Sequence, residues 1–332
     1  MVKTVGISAL ALVAVAALPG PRANAGGHRA THRPPNFSGL WTNSSLTELE
    51  RPDDFKALVA TDDQAKAFEK ANRGKPPAIG DKTNPVGGPD SEWWERDVGL
   101  ARIRGQLRTS WIVSPADGAL PFTPVARAAN KAIGSRQRVD LDGPESRDLD
   151  ERCASIDAAG PPLNNGGLND NFQFVQTLDH LVISAEWMHA VRIVRLVSEG
   201  NGDVRHPPLA IRLPMGDSIG HWEGKTLTIE TTNFRPQDVQ APDGDPRADM
   251  RIVERLTRLS PTEILYAFTV SNPARYTQTW QAEMLLRTTK GPIYEYACHE
   301  GNYALAGMLA AARRLEGRTI DGVAAGGVAP NK

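Results

Sequence analysis

The densest group of chemically capable residues in the chain is Glu186-Trp187-Met188-His189-Ala190-Val191-Arg192, where a carboxylate, an imidazole and a guanidinium interrupt an otherwise apolar run. Side chains alternate across a strand, so an extended reading puts Glu186, Met188, Ala190 and Arg192 on one face and Trp187, His189, Val191 and Ile193 on the other. If the first face lines a barrel, Arg192 holds an anionic or polarised oxygen while Glu186 and His189 compete for the role of general base. Both reach one lumen only if a bulge intervenes between them. The plainer expectation is a solvated face on which Glu186 and Arg192 pair with residues of neighbouring strands.

A second group, Gly216 through Thr226, contains G-x-S-x-G, which in a hydrolase marks a serine on a sharp strand-to-helix turn. The context disfavours Ser218 as a nucleophile: Pro214 precedes it closely, and a tight turn and a strand follow, with no helix to supply an oxyanion site. The glycines here read as turn formers, with Trp222 on the sheet edge and Glu223-Gly224-Lys225 closing a hairpin. Asn171, His206, Asp217 and Trp222 are the residues expected to contact or orient a ligand. His189, His206, His221 and His299, with Glu186, Glu223 or Glu300, lack the HExxH or CxxC spacings of metal sites, so no metal is expected. No phosphate-cradling loop or dinucleotide fingerprint follows a strand, so no cofactor is expected either.

The elements that must position these residues are mostly strands. From Phe172 onward the candidates are 172–177, 181–196, 209–213, 226–232, 250–259, 264–271, 280–288 and 293–298, separated by short turn signals. Short strands with tight connections and no intervening helices predict a mainly β fold, an antiparallel barrel or sandwich with a few peripheral helices. The N-terminal third is less regular. Thr61 caps a helix that Gly74 ends, residues 75–91 and 154–171 form Gly- and Pro-rich loops, 107–113 is a strand, and Thr123-Pro124 opens a short helix through Ala132. A last helix spans Tyr303 to Leu315 before Gly317.

Lys3, the apolar run from Val5 to Leu18 and the small-residue triplet Ala23-Asn24-Ala25 follow the three-part order of a secretory signal peptide, with cleavage expected after Ala25. Fourteen apolar residues fall short of the roughly 20 that span a bilayer. No later run is long enough, so no stable membrane span is expected after cleavage. The domain reading is therefore a signal peptide over 1–25, a flexible lead-in over 26–35, and one β-rich domain over 36–332. Cleavage removes Lys3 and Arg22 and no acid, leaving 36 basic against 39 acidic residues. Without a concentrated positive face, nucleic acid is not an expected partner. In an oxidising compartment Cys153 and Cys298 pair, unless they remain free thiols or Cys298 joins His299 in a metal site.

Several of these residues also carry a resemblance. Asn169-Asp170-Asn171-Phe172, the Glu186 to Ile193 segment, His206-Pro207, and the run from Gly216-Asp217-Ser218 through Trp222-Glu223-Gly224 to Thr232-Asn233-Phe234 resemble an uncharacterised family of exported bacterial proteins. Its usual form is an N-N-N-Y-like turn, an E-M-x-H-D-A-R-I-I strand and a G-D-S-x-G-x-W-E-G-D-T-L block. The likeness extends from Arg108-Thr109-Ser110 to Tyr296-Ala297-Cys298 and Asn302. Two departures stand out: Ala190-Val191 replaces Asp-Ala, removing a carboxylate from beside His189, and Lys225 replaces the acid after W-E-G. The resemblance implies export and architecture without naming a reaction.

The leading functional expectation is thus a periplasmic or secreted enzyme using acid–base chemistry, as a lyase, isomerase or hydrolase, on a small oxygenated molecule. The alternatives are a non-catalytic barrel holding a lipid or aromatic ligand, and an envelope protein whose aromatic loops, Trp93-Trp94 among them, meet a partner.

Overall fold

The computed structural model describes residues 34–72, 99–139, 143, 147, 149, 151–154, 157–163, 169–198, 204–235, 249–300 and 302–315. The expected signal peptide, most of the lead-in, Gly74, the 75–91 loop, Trp93-Trp94 and Gly317 lie outside them. The described residues belong to one compact unit that begins at Pro34. In chain order its elements are β1 (Gly39–Thr42), β2 (Val59–Ala60), α1 (Asp62–Asn72), β3 (Arg102–Ile103), β4 (Gln106–Arg108), β5 (Ile112–Ser114), α2 (Pro124–Val139), β6 (Asn171–Gln176), β7 (His180–Ala185), β8 (Val191–Leu196), β9 (Asp217–Glu223), β10 (Thr226–Thr232), β11 (Arg251–Ser260), β12 (Glu263–Ser271), β13 (Trp280–Thr288) and α3 (Tyr303–Leu315). The fold is mainly β, as the strand pattern predicts.

Nine strands close into a barrel in the order β1-β6-β7-β8-β9-β10-β11-β12-β13, with β13 returning to β1 through Trp41↔Thr288 and Thr42↔Arg287. β5 extends the other end of β13's free edge. Every pair is antiparallel except β8–β9, where Val194 faces Ser218 and Leu196 faces Gly220 in parallel register. Parallel neighbours require a crossover, and the described residues 204–216 of that connection are held to the wall by Arg195, Asp217 and Asn233. Apart from the barrel, β2, β4 and β3 form a small sheet. With α1 it encloses a separate core of Leu46, Phe55, Ala65, Leu100 and Leu107. The helix is capped as its sequence predicts: Gln64 N–H donates to Thr61 Oγ1 and Thr61 N–H to Gln64 Oε1.

The barrel is filled by inward side chains at every second position, including Phe172 and Phe174 of β6, Leu181 and Ile183 of β7, Leu227 and Ile229 of β10, and Leu256 of β11. Several sequence expectations change here. The 181–196 run is two strands joined by a turn at Glu186–Ala190, in which Met188 and His189 adopt positive φ of 56° and 51°. No Gly, Pro, Asn or Asp marks that turn, so turn composition misses it. The face assignment for Glu186 and His189 fails with it.

The Gly216 block is the strand β9 rather than a turn. Gly220 is extended, and a Cβ there would come within 2.8 Å of Leu196 and 3.2 Å of Leu227 and Val194, so glycine serves close side-chain packing inside the barrel. Residues 209–213 form a turn with a single bridge, Leu213 to Phe234. The 107–113 run breaks into β4 and β5 around buried Thr109, Ser110 and Trp111. The helix from Pro124 runs on to Val139.

Residues 293–297 adopt no regular secondary structure and join no sheet. They form a strap across the β7–β8 turn that ends in the Cys153–Cys298 disulfide, whose Cα atoms are 5.7 Å apart. Asn302 reinforces the junction by donating to the carbonyl of Glu151. The bridge closes a loop with a sequence separation of 145, for which the chain-entropy argument assigns about 5 kcal/mol. Replacing both cysteines by serine is expected to lower stability by up to about that amount in a denaturant titration. An unchanged midpoint would mean that non-covalent contacts hold the strap alone.

Candidate functional site

At the end of the barrel where β10 and β12 finish and β11 and β13 begin, a cavity of about 340 Å³ opens among apolar side chains. Its walls carry Trp111, Phe234, Phe268, Tyr276 and Trp280, three methionines (Met215, Met250 and Met284), and the Gly160–Leu163 segment. The aromatic side is braced internally. Trp280 meets Phe268 and Tyr276 edge-on, with centroids 5.6 and 5.8 Å apart, so the wall keeps its shape without a ligand. Asn272 and Arg275 add polarity from the β12–β13 connection, and no Asp or Glu is among the lining residues. Pro214 and Met215 come from the crossover, so the parallel β8–β9 pair contributes directly to the rim.

Directly beneath lies a polar layer. Glu254 stands opposite Phe268 in the β11–β12 register and Tyr266 opposite Met284 in the β12–β13 register, so the layer abuts two cavity walls. Arg192 reaches from β8 and grips Glu254 through two hydrogen bonds, Nη1 to Oε2 at 2.7 Å and Nη2 to Oε1 at 2.8 Å, with side chains only 2% and 0% exposed. The Tyr266 hydroxyl donates to Glu254 Oε1 at 2.7 Å and accepts the backbone N–H of Leu163 at 3.0 Å. Burial, reinforced by the charge of Glu254, pushes the Tyr266 phenol well above its ordinary value, so it stays a donor. For Arg192 burial works against the charge, but Glu254's charge and hydrogen bonds overcome it and hold the guanidinium above its usual value. The chain from Arg192 through Glu254 and Tyr266 to Leu163 therefore anchors one wall of the cavity to the opposite side of the barrel.

The other residues singled out by sequence are distributed elsewhere. Glu186 is buried in the β7–β8 turn, where Oε1 accepts the Tyr294 N–H at 2.7 Å and Oε2 accepts Asn171 Nδ2 at 2.7 Å. His189 is exposed, and its Nε2 accepts the Tyr296 N–H at 2.9 Å, while the Trp187 ring packs 4.8 Å from that of Tyr296. Glu186, His189 and Asn171 are thus brought together, as a cradle for the strap. Arg192 is apart from them, inside the barrel. Asp217 lies on the outer wall between Arg195 Nη2, 2.7 Å from Oδ2, and His206 Nδ1, 2.6 Å from the same oxygen. That clasp ties down the crossover, which Asn233 also holds by donating through Nδ2 to the carbonyls of Pro207 and Ile211.

Trp222 stacks on Phe37 at the opposite end of β9, with centroids 5.6 Å apart and planes 9° from parallel. Ser218 is buried and bonded to Thr231 Oγ1 at 2.8 Å. Among the described residues no group of three or more His, Cys, Asp or Glu side chains converges as a metal site.

Comparison with protein families, with curated proteins and with solved structures returns no match, so the reading of this site rests on its geometry.

Sequence reasoning missed Glu254, Tyr266, Trp111, Trp280 and Arg275. Glu254 left a signal, since it is an acid at an inward position of an alternating strand. The aromatic residues left none, because Tyr266 of β12, Trp280 of β13 and Trp111 before β5 come together only in the closed barrel. A pair such as Arg192–Glu254 is costly to break and inexpensive to replace as a unit. Arg192→Met or Glu254→Leu alone is expected to destabilise by about 3–5 kcal/mol, and the double variant to recover most of that loss in a denaturation cycle. Additive losses would show that the two side chains do not act as a pair.

Proposed function

We propose that the protein is an exported ligand-binding β-barrel that takes a small, largely apolar molecule into the cavity above the Arg192–Glu254–Tyr266 layer. The observation that carries this reading is the lining: five aromatic and three methionine side chains around about 340 Å³, within the size range of small-molecule sites. Aromatic rings supply large flat contact areas, and methionines adapt their shape to the occupant. Enclosing an apolar body there removes its surface from water at roughly 25 cal/mol per Å². In the acid–base alternative, Glu186 or His189 acts as base on a molecule held by Arg192. Glu186 and His189 instead accept backbone N–H groups of the strap, Arg192 is forked onto Glu254, and none of the three lines the cavity.

Titration with the neutral fluorophore N-phenylnaphthylamine tests the binding reading. Saturable enhancement at one site per chain is expected, and Val270→Trp, which adds an indole at a buried lining position, is expected to abolish it in a variant that still unfolds cooperatively at a midpoint lowered by overpacking. Absence of saturable binding, or binding unchanged in Val270→Trp, would reject the cavity as the site.

Export is the second half of the proposal. Its supports are the three-part N-terminus, the resemblance to exported proteins and the Cys153–Cys298 disulfide, a bond that persists in oxidising compartments. No helix among the described residues is long and apolar enough to cross a membrane. A periplasmic or secreted protein whose N-terminus, read by intact mass, is Gly26 is the expected outcome. Retention of residues 1–25 in the mature chain would overturn it.

A further inference from the structure

Resting on the binding reading above, we propose that the ligand is an organic carboxylate, with its apolar body among the aromatic and methionine side chains and its carboxylate on the guanidinium of Arg275. Arg275 is the single charged side chain among the lining residues, and no carboxylate lines the cavity to neutralise it. Its surroundings fix its position without satisfying its charge. The main chain is pinned from both sides: the Arg275 N–H donates to the Asn272 carbonyl at 3.1 Å, and its own carbonyl accepts the Thr123 N–H at 2.9 Å. The guanidinium lies over the Phe122 ring at 5.3 Å and donates from Nη2 to Asn130 Oδ1 of α2 at 3.1 Å. Neither partner carries a negative charge.

Four arginines of the barrel strands have carboxylate partners within ion-pair distance, Arg192 with Glu254, Arg195 with Asp217, Arg251 with Glu230 and Arg255 with Glu223, whereas Arg258 and Arg287 spend their guanidinium donors on backbone carbonyls away from the cavity. Among the described residues no such partner meets Arg275. A guanidinium presents five N–H donors in a planar fork that matches a carboxylate, and the contact to Asn130 engages only one nitrogen. Arg275 is only partly exposed, so an anion meeting its fork at the cavity edge replaces part of the guanidinium's remaining hydration with a charge-assisted contact. The same walls reject a small hydrated anion, which has no apolar surface to bury, and select one attached to a hydrophobic body.

The test uses two ligands of nearly the same shape, naphthoate and neutral naphthalenemethanol, titrated at neutral pH against the parent protein, Arg275→Gln and Arg275→Lys. Naphthoate is expected to bind the parent about tenfold or more tightly than the alcohol. Arg275→Gln should erase that preference while changing the alcohol's affinity by less than about twofold, and Arg275→Lys should keep part of it. Equal, saturable affinity for both ligands in the parent would overturn the carboxylate assignment and leave the cavity reading standing. No saturable binding of either would overturn the cavity reading itself. Should Arg275→Gln fail to fold, the parent protein decides: a naphthoate preference that weakens as salt is raised supports the assignment, and one indifferent to salt rejects it.

Discussion

A closed sheet of nine strands cannot alternate direction all the way round, because an odd cycle leaves at least one pair of neighbours running the same way. In this barrel the constraint falls between β8 and β9. A parallel pair cannot be joined by a hairpin, so the chain must leave the end of β8 and cross back to the start of β9. Much of the molecule's polar architecture serves that return. Asp217, Arg195 and His206 clasp the crossover to the outer wall, and Asn233 gathers three of its carbonyls with one amide nitrogen. The crossover then delivers Pro214 and Met215 to the mouth of the barrel. Gly216 completes the entry into β9 with φ of +69°, where a Cβ would lie 2.6 Å from the carbonyl of Thr232.

Inside the wall, the difficulty is filling the space. Leucine, isoleucine and aromatic side chains pack the body of the barrel, but toward the cavity end the interior is bridged by a charged pair and a phenol. Burying two charges is costly unless each finds its partner with good geometry, and the fork between Arg192 and Glu254 meets that condition. The pair also does something a hydrophobic plug could not. Through Tyr266 it offers an acceptor to the backbone N–H of Leu163, an irregular segment with no strand to bond to. Loop and barrel are thereby joined at one defined point, and the void left above becomes a cavity with a stable floor.

The strap follows the same logic outside the barrel. A segment that joins no sheet must satisfy its N–H groups elsewhere, and the β7–β8 turn provides a carboxylate and an imidazole for two of them. The disulfide at its end makes the arrangement covalent. Glu186 and His189 thus act here as acceptors for backbone N–H groups, and the cavity is lined by aromatic and methionine side chains with Asn272 and Arg275 adding polar groups.

How much of this is legible in the amino-acid order depends on whether a feature is local. Alternation of apolar residues predicted the β class and most strands of the barrel, because period-two burial is written into each segment independently. The Thr61 cap and the turns at Gly224 and Pro261 are equally local. The importance of Glu186, His189, Arg192 and Asp217 was visible as polar groups among apolar neighbours, yet their partners were not. Tyr294, Glu254 and Arg195 are separated from them by 108, 62 and 22 positions, distances that only the closed sheet brings to hydrogen-bond range. The 186–190 turn escaped because it uses positive φ at Met188 and His189 without a turn-forming residue, held by tertiary contacts rather than by local preference. Composition and periodicity, by themselves, determined a β-rich chain with one pair of cysteines. Which polar groups face one another, and where an apolar cavity remains, was decided by barrel closure, since register and strand order set every long-range distance.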